Sequence, residues 1–112
     1  GRAGLKRRRV ELTPQALADI ADLRAWIIRD GGTRATADRY VARLRARLQS
    51  MRYVAEIGEV REDLGPGARL TNFEGTRHIL FRVEPARVLV VRIVHGRRDL
   101  ARVAAQTDFN AD

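Results

Sequence analysis

Residues 77–99 read RHILFRV-EPA-RVLVVRIVH-GRRD. Arg77–Val83 and Arg87–His95 are rich in β-branched residues, and Glu84-Pro85-Ala86 between them suits a short connection. The stretch predicts a β-hairpin. Ile79, Phe81 and Val83 alternate onto one face, and Leu80 brings partial burial to the other. Val88–Val91 is continuously apolar, as in a central strand covered on both sides. Gly96 ends the second strand, and Asp99–Gln106 predicts a short helix or a frayed tail.

Upstream of the hairpin, Arg69–Glu74 reads as a weaker strand closed by a turn at Gly75-Thr76. Before it lies an acidic loop, with Glu56, Glu59, Glu62 and Asp63, closed by Gly65-Pro66-Gly67. The first half of the chain has helical periodicity instead. Ala16, Ile20, Leu23 and Ile27 form one stripe over Pro14–Arg29, with Asp19 and Asp22 on the outer side. Thr13 is placed to cap this helix, with Pro14 at its first position, and Gly31-Gly32 stops it. Thr33 caps a second helix, from about Arg34 to Tyr53. Its stripe is Ala37, Tyr40, Val41, Leu44, Leu48 and Met51, flanked by Arg39, Arg43, Arg45 and Arg47. Arg8–Leu12 alternates as a half-buried strand.

The order is therefore β-α-α-β-β-β. It predicts an α+β fold in which a helical hairpin packs on one face of a small, mainly antiparallel twisted sheet. The other face is expected to be partly open, as a groove for a partner segment. Residues 1–9 read as a basic arm or an expression remnant, 10–106 as a single domain, and 107–112 as a tail.

The chain has 112 residues and a formal net charge of +8. Of its 22 basic residues only Lys6 is lysine. Arginine's planar fork of donors fits carboxylates and phosphates, so the surplus predicts an acidic partner, either nucleic acid or an acidic polypeptide. There is no cysteine, which excludes disulfides and thiolate metal sites and suits a reducing cytoplasm. No stretch approaches the roughly 18 apolar residues of a membrane span. No nucleotide-binding glycine motif or metalloprotease motif occurs, and with only His78 and His95 as imidazoles no metal or cofactor is expected. The single serine, Ser50, falls inside the second helix with no base beside it.

The polar residues of the hairpin remain. If its strands are antiparallel, Arg77 and His95 come together, with Arg97 nearby. Such a cluster binds a phosphate, or sets a histidine acid beside a charge-stabilising arginine. The alternative for the same residues is a strand-end hydrogen bond from His95 and solvated arginines. Arg82 and Arg92 are expected on the solvent side of their strands, their stems covering neighbours. Trp26 lies about 90° from the first helix's stripe, at 100° per residue, and serves either as the edge of the core or as an anchor for a partner.

Arg77-His-Ile-Leu-Phe-Arg-Val-Glu followed by Arg87-Val-Leu-Val-Val-Arg-Ile-Val-His-Gly-Arg-Arg-Asp99 resembles the C-terminal signature of the ParE branch of the RelE/ParE toxin superfamily. Phe81 stands where that family usually has tyrosine. Leu12-Thr-Pro-Gln-Ala-Leu-Ala-Asp-Ile20 is similar to the family's opening, and Gly31-Gly32 with Ala37 to the start of its second helix. The resemblance runs from about Val10 to Asp99.

It implies the toxin of a bacterial type II toxin–antitoxin pair, acting in the cytoplasm on DNA gyrase without catalysis of its own. The implied antitoxin is ParD-like, a ribbon-helix-helix protein with an acidic tail that also provides an indirect association with DNA. The residues expected to meet it are Trp26, Arg39, Arg43, Arg77, Arg97 and Arg98. The runner-up is a RelE-like ribosome-dependent endoribonuclease. RelE-type cleavage uses lysines and a late tyrosine, whereas this chain has no lysine after Lys6 and no tyrosine after Tyr53. A subset of the ribonucleases uses glutamate, arginine and histidine, which Glu59 or Glu62, Arg77 and His95 would imitate.

Overall fold

A computed structural model describes residues 8–53 and 58–109. The chain starts as strand β1 (Arg9–Leu12) and passes through helices α1 (Pro14–Arg29) and α2 (Arg34–Ser50). Strands β2 (Glu59–Val60), β3 (Arg69–Phe73), β4 (Arg77–Val83) and β5 (Arg87–His95) follow. A 3₁₀ turn at Arg97–Asp99 leads into helix α3 (Leu100–Ala105). The fold is α+β, as expected, with one five-stranded sheet in the order β1-β5-β4-β3-β2. β1 lies parallel to β5, and every other pair is antiparallel.

Thr13 joins the first two layers. Its Oγ1 accepts the Ala16 N–H at 3.0 Å, which caps α1, and donates to the Val91 carbonyl at 2.7 Å. Its N–H bonds the Val90 carbonyl, so the chain leaves the sheet and enters the helix within one residue. At the far end Gly31 adopts a φ of 94°, and the Gly32 N–H returns to the Ile27 carbonyl at 3.0 Å. A Cβ on Gly32 would stand 2.7 Å from that carbonyl oxygen, so a side chain there has no room. Thr33 then caps α2 by accepting from the Thr36 N–H. α2 stops at Ser50 instead of Tyr53. The N–H groups of Met51, Arg52 and Tyr53 bond three residues back, which tightens the last turn and turns the Met51 side chain fully into the core.

The helical hairpin covers one face of the sheet. Ala16, Ile20 and Leu23 of α1 and Leu44 and Leu48 of α2 pack on Phe73, Ile79, Phe81, Val88, Val90 and Ile93. The opposite face is not open along most of its length. Leu70, Leu80, Leu89, Val91 and Val94 build a second core with Leu64, Leu100, Val103, Ala104 and Phe109. The reason is apolar area. Each fully buried Leu, Val or Phe is worth about 1.5–3 kcal/mol, and β5 presents such residues on both sides. Phe109 was expected in a tail, but its ring plugs the turn at Gly65 and is 5% exposed. Residues 110–112 lie outside the described residues, as do residues 1–7 of the expected arm. Arg8, the first described residue, donates to the Glu84 carbonyl at 2.8 Å.

A register shift between Leu80 and Phe81 leaves an extra residue on β5. It falls where the apolar run ends, before Arg92. β2 was not anticipated, because both of its residues are exposed and carry no alternation signal. Among the described residues no helix is long and apolar enough to cross a membrane.

Candidate functional site

The antiparallel register sets Arg77 opposite His95, as the hairpin predicts. The Arg77 Nη1 meets the Nδ1 of His95. The guanidinium can only donate, so the imidazole nitrogen is the acceptor of that contact. Arg77 is 7% exposed, buried between the helices and the sheet. Its guanidinium lies 5.7 Å from the Trp26 ring centroid and 6.0 Å from that of Tyr40. Cation–π attraction on two sides therefore compensates for charge held away from water. Tyr40 in turn sets its ring edge-on to Phe73 at 5.4 Å. Burial pushes the Tyr40 hydroxyl above its ordinary range, with Glu74 adding to the effect and Arg77 opposing it, so it stays protonated at neutral pH.

Trp26 is 46% exposed. Its ring stands 6.0 Å from that of His95, tilted by 34°. Together they wall a cavity of about 320 Å³, which Asp19, Asp22, Leu23, Arg29, Arg77 and Ile93 also line. Trp26 thus closes the core over Arg77 with one part of its surface and offers the rest to solvent.

Asp19 defines the side of the cavity next to the sheet. β1 pairs with β5 only as far as Val90, which leaves the second half of β5 unpaired on the edge away from β4. Asp19 Oδ2 accepts the Ile93 N–H at 2.8 Å, and the carboxylate takes the Arg92 guanidinium at 2.8 and 2.9 Å. The side chain thereby stands in for a strand partner and blunts the edge. Arg92, expected on the solvent side, is instead a partly buried ion-pair member. Arg82 is likewise turned inward, to Glu84 and the Phe109 carbonyl.

The sequence profile of the ParE toxin of the type II toxin–antitoxin system parDE matches residues 10–100. The chain belongs to the ParE toxin family. Solved structures that share its architecture include two toxin–antitoxin systems. The chromosomal ParDE toxin–antitoxin system from P. aeruginosa superposes with a TM-score of 0.71 at 22% identity, over 82% of this chain and 99% of that one. The RelBE2 toxin–antitoxin complex from Mycobacterium tuberculosis superposes with a TM-score of 0.57 at 20% identity, over 80% and 91% of the two chains. At those identities the likeness shows the fold alone. Among curated proteins none matches the sequence.

In this ParE-family chain the anticipated contact residues fall into three groups. Trp26 and Arg77 meet at the cavity. Arg39 and Arg43 stand on the outer flank of α2, where Arg43 holds Glu74 at 2.9 and 3.1 Å and lies 5.2 Å from the Tyr40 ring centroid. Arg39 is exposed and donates to the Thr36 hydroxyl at 3.5 Å. Arg97 and Arg98 are exposed beyond Gly96, whose φ of 78° swings the chain out of the sheet. Arg97 therefore does not join Arg77 and His95. It lies beside His78, and adjacent strand residues point to opposite faces, so the sheet separates the two arginines.

The ribonuclease trio is not assembled either: Glu59 lines a cleft beside His78, across the sheet from Arg77. Glu62 accepts the Gly67 N–H at 3.0 Å, and Gly67 abuts the Arg82 stem. Arg82 is five positions along β4 from Arg77, about 17 Å of strand. Asp19, Asp22, Arg29 and Tyr40 are the site residues that sequence reasoning missed. Their helical positions marked them as outer or core residues, and only packing against β5 and β4 brings them to the cavity. Among the described residues no group of His, Asp and Glu is arranged to hold a metal.

Proposed function

We propose that this ParE-family chain inhibits DNA gyrase and is held inactive by a cognate antitoxin. The antitoxin is ParD-like, with a ribbon-helix-helix portion that binds DNA and an acidic tail that docks at the Trp26–Arg77–His95 cavity. One observation carries the docking site: a half-exposed tryptophan beside a buried arginine, at a cavity of about 320 Å³. That is the composition of an interface anchor, where an aromatic residue supplies desolvated area and an arginine supplies charge. The net charge of +8 supports an acidic partner. Arg39 and Arg43 lie on the helical side and Arg97 and Arg98 on the other, so a segment that meets all of them wraps around the end of the sheet. Gyrase poisoning needs no catalytic group, and the action belongs to the cytoplasm.

The decisive experiment adds the purified chain to purified gyrase and relaxed plasmid. Supercoiling is expected to fall as toxin is added and to recover when antitoxin is supplied. Supercoiling that continues unchanged at excess toxin would refute the gyrase assignment.

A further inference from the structure

We propose that the Trp26 cavity captures the carboxyl terminus of the docking tail. In this assignment the terminal α-carboxylate meets Arg77 and Arg29. An apolar last side chain packs on Leu23, Ile93 and the Trp26 ring. The inference rests on the docking reading above and names the part of the tail that enters.

Arg77 sets the requirement for an anion. It is 7% exposed, yet among the described residues it engages no carboxylate. Its contacts are the His95 ring and the faces of Trp26 and Tyr40, and an aromatic face is not a counter-ion. Buried charges in folded proteins are usually paired. Arg82, Arg87 and Arg92 are also largely buried, and each holds a carboxylate of its own chain. Arg77 is the exception beside them. Its Nη1 meets His95, whereas Nε and Nη2 have no partner among the described residues and are not sealed from solvent. The side chain lines the cavity, so an anion there has donors to meet.

The rest of the lining decides what carries that anion. Asp19 is committed to Arg92 and the Ile93 N–H. Asp22 and Arg29 are exposed and make no hydrogen bond or ion pair among the described residues. The cavity therefore offers two cations, one unpaired carboxylate, and an apolar wall of Leu23, Ile93 and Trp26. An acidic side chain brings an anion alone. The last residue of a chain brings a carboxylate, an N–H and a side chain on one Cα. Arg77 and Arg29 match the first, Asp22 accepts from the second, and the apolar wall takes the third. Capture of a terminal carboxylate is a recurring mode of peptide recognition. The volume of about 320 Å³ lies at the small end of pockets that enclose a ligand, roughly 300 Å³ upward.

Trp26 is the only tryptophan of the chain, so its emission reports on this cavity. The test titrates the purified full chain with two acetylated tetrapeptides of equal charge. One is acetyl-Ala-Glu-Ala-Leu with a free carboxyl end, and the other is acetyl-Glu-Glu-Ala-Leu closed as its amide. The free acid is expected to bind at least about tenfold more tightly, the scale of one charge-assisted contact. Arg77→Gln is expected to abolish that preference, and Arg29→Gln to reduce it about threefold. Arg45→Gln, an exposed cation outside the cavity, is expected to change it by less than about twofold. Free acid and amide that bind equally well would overturn the inference and leave the docking reading standing. Emission that answers to neither peptide would overturn it too. So would a preference left intact by Arg77→Gln, or by Arg29→Gln should the first variant fail to fold. The docking reading fails separately, if Trp26→Ala leaves antitoxin binding unchanged.

Discussion

Trp26 shows how one residue can hold a buried charge and still face a partner. Its ring lies near the Arg77 guanidinium and the His95 imidazole, while 46% of its surface remains open. Truncating such an anchor typically costs 2 kcal/mol or more of binding. Trp26→Ala is therefore expected to weaken antitoxin binding by about 30-fold or more, read by calorimetry. A dissociation constant within threefold of the parent would remove Trp26 from the interface. Trp26→Phe keeps an aromatic face and is expected to restore part of the loss.

Among the elements, β5 bears the most. It pairs with β1 and β4, packs on both faces, and ends at His95 on the cavity. Its exposed edge is closed by a side chain from α1 instead of by a strand, because β1 turns into α1 at Thr13. Asp19→Asn keeps the shape but removes the charge that holds Arg92 and the ionic acceptor for the Ile93 N–H. Arg92 would then be a partly buried cation without its carboxylate. The variant is expected to lose about 2–3 kcal/mol of stability in urea unfolding, since breaking a fully buried pair costs about 3–5 and this pair is partly solvated. A midpoint that does not move would show that the edge needs no carboxylate.

Across the whole molecule, part of the high arginine content is spent on internal ion pairs. Arg43 holds Glu74, Arg61 holds Asp63, Arg82 and Arg87 hold Glu84, and Arg92 holds Asp19. The Arg87 and Arg82 hydrogen bonds keep the Glu84 carboxyl below its ordinary 4.5, and Arg43 does the same for Glu74. A carboxylate with a depressed folded-state pKa contributes stability above its unfolded value, and that stability is lost as pH falls through the folded one. The His78 imidazole is also depressed, below its ordinary 6.5, so the unfolded chain takes up its proton first and folding weakens as pH drops below that value. Both effects have the same sign. The melting temperature is expected to hold above pH 7, to begin falling below about pH 6.5, and to fall faster below about pH 4.5. His78→Gln is expected to remove the first phase and leave the second. A melting temperature that rises on acidification from pH 7 to 5 would contradict this account.

Most of the elements follow from local rules that act within a few residues. Thr13-Pro14, Gly31-Gly32 and Thr33 are caps and stops whose chemistry does not depend on the rest of the chain. The strands at 77–83 and 87–95 follow from composition and alternation, and their antiparallel pairing puts Arg77 beside His95. The sequence by itself thus determined the helices, the central hairpin and one pair within the site. Only the tertiary structure decided that β1 runs parallel to β5, that Asp19 closes the sheet edge, that Phe109 covers the second face, and that Arg97 lies across the sheet from Arg77. Each of these is a contact between residues far apart in the chain or a choice of face. Spacing carries no record of a partner some 73 positions away, because that partner is selected by the packing of whole layers and not by neighbours along the backbone.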